Sequence, residues 1–256
     1  MDEYVLHASA APDDEAARLA LIQGYQDPLT VEALRSLPVA VGWRCLDVGA
    51  GAGSIARWLA AEVGSTGSVL ATDLDVSALQ TGPNLTVRRH DVRTDPLPPA
   101  EFDLVHTRLV LQHLPDRAEV LDRLVTSVRP NGHIVLGDID FTVVRPAEPD
   151  PAFDKVHTAF DAAVRDAGWQ PDLGARLLAM VDAAGLADAR ATCHQHVQHG
   201  GEAAPTILAM TYQRLRPRLL AFGAAEADVD HVLTRLADPA FRLHGPALWT
   251  VTARRS

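Results

Sequence analysis

Leu46-Asp47-Val48-Gly49-Ala50-Gly51-Ala52-Gly53 runs without a break into the helix-like stretch Ser54-Ile55-Ala56-Arg57-Trp58-Leu59-Ala60-Ala61. An apolar strand ends in an acid, and three alternate glycines then open a helix. Glycine tolerates positive φ and lets backbone N–H groups approach a ligand closely. The helix start adds a partial positive charge. A glycine triplet alone also fits an ordinary tight turn. With Asp47 before it and a second acid, Asp73, closing the next strand, it points to a bound nucleoside.

Strand candidates follow the pattern of short, apolar, punctuated runs at 43–48, 68–73, 84–90, 102–107 and 132–139. Helices are predicted between them at 53–63, 75–80 and 116–129, and strands alternating with helices imply βαβ units and a parallel sheet with right-handed crossovers. Such a sheet binds ligands beyond the carboxyl ends of its strands. Before it, 13–24 and 30–36 read as two helices separated by the breaker Pro28. After residue 140 the pattern changes. Helices are expected at 150–168, 172–184, 203–221 and 225–237, with two last strands at 187–198 and 247–255. Segments 145–170 and 199–244 read as insertions that roof the sheet's carboxyl edge.

An acid about twenty residues past the glycines is where a ribose diol is held by paired hydrogen bonds, and Asp73 is that acid; Asp75 reads as the cap of the next helix. In Val87-Arg88-Arg89-His90-Asp91-Val92 an acid ends the third strand. A carboxylate there accepts from an adenine amino group while Val92 packs on the ring. The fourth strand, Phe102-Asp103-Leu104-Val105-His106-Thr107, leads through Gln112-His113-Leu114-Pro115-Asp116 into a helix.

These segments, in this order, resemble the class I S-adenosylmethionine-dependent methyltransferases over roughly residues 40–140. The resemblance implies a Rossmann-like, doubly wound α/β fold: a seven-stranded sheet with an antiparallel last strand, an N-terminal helical lid and helical cap insertions. It further implies one domain over 1–256, with residues 1–40 as lid, 41–144 as cofactor-binding core, and 145–170 and 199–244 as caps. S-adenosylmethionine is the cofactor it implies. The backbone of Gly49, Gly51 and Gly53 would face its methionine part, with Asp47 near the ammonium, directly or through water. Asp73 would bind the ribose hydroxyls, Leu74 would pack on the adenine, Asp91 and Val92 would bind the adenine edge, and Thr107 would line the site from the fourth strand. Residues 111–116 would line the reactive end. Pro130-Asn131-Gly132 stands where Pro-Gly-Gly is usual, and asparagine also tolerates a left-handed conformation. The Asn/Asp-Pro-Pro-aromatic run of nucleic-acid amino methylation is absent after the fourth strand.

The expected function is methyl transfer to a small organic acceptor, with oxygen favoured over nitrogen or carbon, as in secondary metabolism. His113 is the candidate base or polar orienter, since histidine titrates in the right range; a structural hydrogen-bonding role competes. Asp138 and Asp140, at the end of the fifth strand, contact substrate or cap the loop. Tyr4, Gln23 and Tyr25 close over the site as part of a lid or pack on the sheet edge, and Trp169 lines a pocket in the cap. Two other readings stay open. Gly51-Ala52-Gly53-Ser54-Ile55-Ala56 formally matches the G-x-G-x-x-G/A of an NAD(P)-dependent oxidoreductase, although the strand would then have to run on to Ala50 with Asp47 inside it. The fold also occurs without methyl transfer, binding the cofactor only.

A formal net charge of −10, spread along the chain, argues against a nucleic-acid partner, which requires a clustered basic face. Cys45 and Cys193 read as buried free thiols that suit a reducing compartment. His194, His196 and His199 alternate as on a strand surface, and no cysteine or carboxylate completes a metal site around them. No signal-like apolar region opens the sequence and no stretch is long enough to span a bilayer. The expectation is a cytoplasmic, soluble monomer or homodimer acting on a small molecule, with no membrane and no metal.

Overall fold

A computed structural model describes residues 12–256; Tyr4 lies outside the described residues. The central sheet is built from β1 (Arg44–Val48), β2 (Ser68–Asp73), β3 (Leu85–Arg89), β4 (Phe102–Arg108), β5 (Val128–Asp140), β7 (Ala187–His194) and β10 (Ala247–Arg254). Its order is β3-β2-β1-β4-β5-β10-β7. β10, the last strand of the chain, runs antiparallel to both neighbours, whereas β1 to β5 pair in parallel. The chain winds outward from β1 to β3, then restarts on the other side at β4. The carboxyl ends of β1 and β4 therefore form the switch point where open α/β sheets bind ligands.

Both central strands are buried along nearly their whole length, as expected for parallel strands covered on two faces. Two helices, α3 (Arg117–Ser127) and α5 (Leu173–Ala183), cover one face through Val120, Leu124, Leu177 and Val181. On the other, α2 (Ser54–Val63) buries Ile55, Leu59 and Val63 beside Leu34. That leucine belongs to α1 (Pro12–Arg35).

A second apolar cluster lies outside the sheet. α4 (Pro151–Asp166), α6 (Ala203–Ala221) and α7 (Glu226–Ala237) pack Phe153, Phe160, Leu208, Tyr212 and Val232 together. A small sheet of β6 (Arg145–Pro146), β9 (Arg242–His244) and β8 (Val197–His199) ties its ends. Segments separated by more than thirty residues thus share one roof. No helix among the described residues is long and apolar enough to cross a membrane.

The structure departs from the sequence expectation in five places. α1 is one helix through Pro28, because Arg108 donates to Asp27 and Thr30 on either side of the proline and holds the two halves in line. Residues 75–80 are turns rather than a helix. Asp75 accepts from the Ser77 N–H at 2.9 Å and a single tight turn joins Leu79 N to Val76 O. So short a segment before Gly82-Pro83 cannot repay helix nucleation. The 187–198 strand breaks at Gln195 and His196, since pairing with β10 ends at His194 opposite Leu248 and the chain pairs with β9 from Val197 onward. β5 starts four residues early and absorbs Pro130-Asn131-Gly132 as an irregularity in its pairing with β4. Cys193 is exposed rather than buried; both thiols are free.

Gly174, in the first turn of α5, shows how closely this layer packs. A Cβ there would lie 2.7 Å from Trp249 Cδ1 and 2.8 Å from the Asp138 carbonyl. Alanine in a helix ordinarily gains up to ~1 kcal/mol over glycine. Overpacking against backbone costs ~1–3 kcal/mol and wins. Gly174→Ala should lower the urea midpoint of unfolding; a raised midpoint would contradict this packing.

Candidate active site

Gly49, Gly51 and Gly53 all adopt positive φ, at 69°, 56° and 77°. A side chain at Gly49 is excluded twice over, because its Cβ would sit 2.2 Å from Val110 Cγ2. The loop is tied to the neighbouring strand: Gly49 N and Ala50 N both donate to the Thr72 carbonyl, and Gly51 N donates to Asp73 Oδ2 at 2.8 Å. Gly53 turns the chain into α2 without any side-chain cap, so N–H groups at that helix start are not consumed by a cap. Residue 53 itself does not reach the cavity wall; its neighbours Ala52 and Ser54 do.

The wall belongs to a cavity of about 760 Å³, within the range of small-ligand sites. Asp47, Gly49, Gly51, Asp73, Leu74, Asp91 and Val92 all meet there, on the strand-end side. Leu74 is 47% exposed, a large apolar side chain offered to the opening. Asp91 accepts from Arg93 through both carboxylate oxygens, at 3.2 and 3.0 Å, and this contact holds its carboxyl below the usual range. Asp75 caps the turn after β2, not a helix.

Asp47 is almost wholly buried, and its Oδ1 lies 2.7 Å from Nδ1 of His106 on the adjacent strand. The strand register sets that pair, with Asp47 directly opposite His106. Asp47 Oδ2 and His106 Nε2 have no hydrogen-bond partner among the described residues. His90 also lines the cavity, buried, with neither ring nitrogen partnered among them. Sequence reasoning assigned nothing to His90 or His106. Their only signal was position at the carboxyl ends of β3 and β4.

His113 lies in a single 3-10 turn, Leu111–His113, at the cavity edge. Its ring meets Trp169 edge-to-face with centroids 4.1 Å apart, and its Nε2 is 3.2 Å from Gln112 Nε2. Arg117 clamps the two segments by donating to the carbonyls of Leu111 and Gly168. From beneath, Asp138 Oδ2 accepts the Gln112 N–H at 3.2 Å.

Two expected residues face elsewhere. Thr107 is buried on the opposite side of β4 from His106 and Arg108, which do line the cavity. Strand alternation makes this unavoidable. Asp140 spends its carboxylate on Thr142, accepting from N at 2.8 Å and Oγ1 at 2.6 Å; it caps the loop while Ile139 and Phe141 reach the cavity. On the far side the wall comes from α1 and α6, including Gln23, Tyr25 and Ile207. α1 is held down by Arg108 on Asp27 and by Arg214 of α6 on Glu15, at 2.7 and 2.9 Å. Burial alone would raise Glu15, but Arg18 and Arg214 outweigh it and bring the carboxyl down to about 2.

Residues 46–136 match a methyltransferase domain family. That segment is a methyltransferase domain. Two methyltransferases of Strobilurus tenacellus are 38% and 37% identical to it over 109 and 108 residues, covering 41% of this chain and 39% of theirs. The chain thus spans well under half the length of those relatives. The 27-O-demethylrifamycin SV methyltransferase of Amycolatopsis mediterranei is 27% identical over 184 residues, 62% of this chain and 65% of its own. Among solved structures, Haemonchus contortus phosphoethanolamine N-methyltransferase 2, in complex with phosphomonomethylethanolamine and S-adenosylhomocysteine, superposes with a TM-score of 0.54 at 16% identity. That match covers 94% of this chain and 52% of the other.

The matched methyltransferase segment holds the acids, the glycine loop and His113. α1, Trp169 and α6 lie outside it, so this half of the wall comes from the rest of the chain. Asp138, beneath the 3-10 turn, is fully buried, and loss of hydration pushes it up to about 8. An unfolded aspartate titrates near ~4, so between these values the folded protein keeps a proton that the unfolded chain releases. Its stabilisation is complete below ~4 and is lost as pH rises through about 8. Between pH 5 and pH 8.5 the native chain should lose more unfolding free energy than Asp138→Asn; equal losses in urea titrations would refute this.

Proposed function

We propose that this protein transfers the methyl group of S-adenosylmethionine to an oxygen of a small organic acceptor enclosed under its helical roof. The observation that carries the reading is the convergence of Asp47, Asp73 and Asp91 on one cavity around a glycine loop whose backbone is already turned to Asp73. The residues fit the cofactor. Asp47 Oδ2 is a buried acceptor without a partner among the described residues, which suits an ammonium group. Leu74 offers an exposed apolar side chain to a ring, and Val92 lines the same cavity. Asp73 supplies the acceptor for ribose hydroxyls, and Asp91 the acceptor for an exocyclic amine, shared with Arg93. β1 ends at Val48 and the helix begins at Ser54, so the five-residue loop is longer than the dinucleotide reading requires.

When bound, S-adenosylmethionine supplies a methyl already activated on a sulfonium, whose sulfur leaves as a thioether. The protein's work is then alignment and exclusion of water. His113, held beside Gln112 and Trp169 on the cavity wall, is the residue that takes the acceptor's hydroxyl proton. Arg117 and Asp138 keep that turn in place. α1 and the segments 145–170 and 199–244 close the site over the core in a single functional domain.

Calorimetry with S-adenosylhomocysteine tests the assignment. Asp73→Ala should weaken binding at least ~10- to 100-fold, the worth of lost hydrogen bonds to a charged group, because it removes both the ribose acceptor and the tie that holds Gly51 N. Stabilisation by NADH and none by S-adenosylhomocysteine would sink the whole reading. His113→Ala should keep near-normal affinity yet lose turnover by about 10²-fold or more. Full activity in that variant would reduce His113 to a wall residue.

A further inference from the structure

The roof side of the cavity differs in chemistry from the strand-end side. Its aliphatic wall is Leu19 and Ile22 from α1 with Ile207 and Leu208 from α6, and its aromatic faces are Phe141 and Trp169. The α1 residues lie at helical spacing on one face, which the roof covers. Charge is nearly absent there. Among the described wall residues contributed by α1 and α6, Glu15 and Arg18 alone are ionised, and they are committed to each other. Arg18 donates Nε and Nη2 to the two Glu15 oxygens, at 3.1 and 2.6 Å. Glu15 also accepts from Arg214. The remaining arginines of the cavity wall are engaged as well, Arg93 with Asp91 and Arg108 with Asp27.

Gln26 sits one turn beyond Ile22 on the same face. It is 4% exposed, it lines the cavity, and its Oε1 has no hydrogen-bond partner among the described residues. A buried carbonyl in that state calls for an N–H or O–H donor.

From this asymmetry we propose that the methyl acceptor is an uncharged, largely apolar, ring-bearing hydroxy compound, seated between α1 and α6 with a hydroxyl donating to Gln26 Oε1. The inference rests on the methyl-transfer reading above and narrows its substrate. An anionic or cationic acceptor entering this half would leave water without a free counter-charge, and an unpaired buried charge is far costlier than a hydrogen-bonded hydroxyl. Phe141 and Trp169 instead add aromatic contacts that favour a ring-bearing ligand.

Three probes on one scaffold isolate the charge: 2-naphthol, 2-naphthoate and 2-naphthylmethylammonium, titrated by calorimetry into the full chain saturated with S-adenosylhomocysteine. The expected result is binding of the naphthol tighter than of either ion by on the order of tenfold or more, which corresponds to ~1.4 kcal/mol. Ile207→Glu, which adds an unpaired carboxylate to the α6 wall, should reverse the order in favour of the ammonium probe. Gln26→Leu should weaken the naphthol and leave S-adenosylhomocysteine affinity unchanged. If the naphthoate or the ammonium probe binds the native chain as tightly as the naphthol, or if none of the three binds, the acceptor class is wrong while the cofactor reading stands. Failure to bind S-adenosylhomocysteine at all would overturn the methyl-transfer reading and this inference with it.

Discussion

The rest of the site depends on one contact between neighbouring strand ends: the Gly51 N–H held on the Asp73 carboxylate at 2.8 Å. It joins the loop after β1 to the end of β2, and it turns an acid of one strand and the backbone of another toward a common space. Three positive-φ glycines make the approach sterically allowed, and Val110 against Gly49 leaves no room for an alternative at that position. The sheet's winding then determines what else arrives. β3 adds His90, Asp91 and Val92, while β4 adds His106 and leads into the turn that carries His113.

The roof is a separate packing problem with a separate core. Phe153, Phe160 and Tyr212 are fully buried among α4, α6 and α7, away from the sheet. Its registration over the site relies on a few polar ties. Arg117 bridges the 3-10 turn to Gly168, next to Trp169; Arg108 reaches α1 through Asp27 and Thr30; Arg214 reaches α1 through Glu15. The two ion pairs among them, Arg108–Asp27 and Arg214–Glu15, are largely buried, where such a pair is less screened than at the surface. The strand-end half and the roof half of the cavity are thus assembled from different cores and joined by arginines.

Local signals carried the strand ends well. Short, mostly apolar runs ending near Asp47, Asp73 and Asp91 need only backbone propensity and turn chemistry, and those act over a few residues. They failed where a distant partner overrode them. Pro28 reads as a breaker, yet α1 continues because a guanidinium from β4 pins both sides of it. Residues 75–80 have helical composition but end as turns capped by Asp75. Thr107 and Asp140 lay at plausible strand ends, but whether a residue faces the cavity is set by the pleat: it turns Thr107 away, and Asp140 is taken up by Thr142.

By itself, then, the sequence determined the nucleoside-type loop, the acids that follow it and the alternation that yields a parallel sheet, because each is written in contiguous residues with a fixed local geometry. Only the tertiary structure decided that Asp47 is paired with His106, that His113 stands against Trp169, and that Gln26 and Ile207 face one another's cavity from helices far apart in the chain. Those relations depend on strand register and on how the roof docks, and both are products of burial over the whole molecule rather than of any one segment.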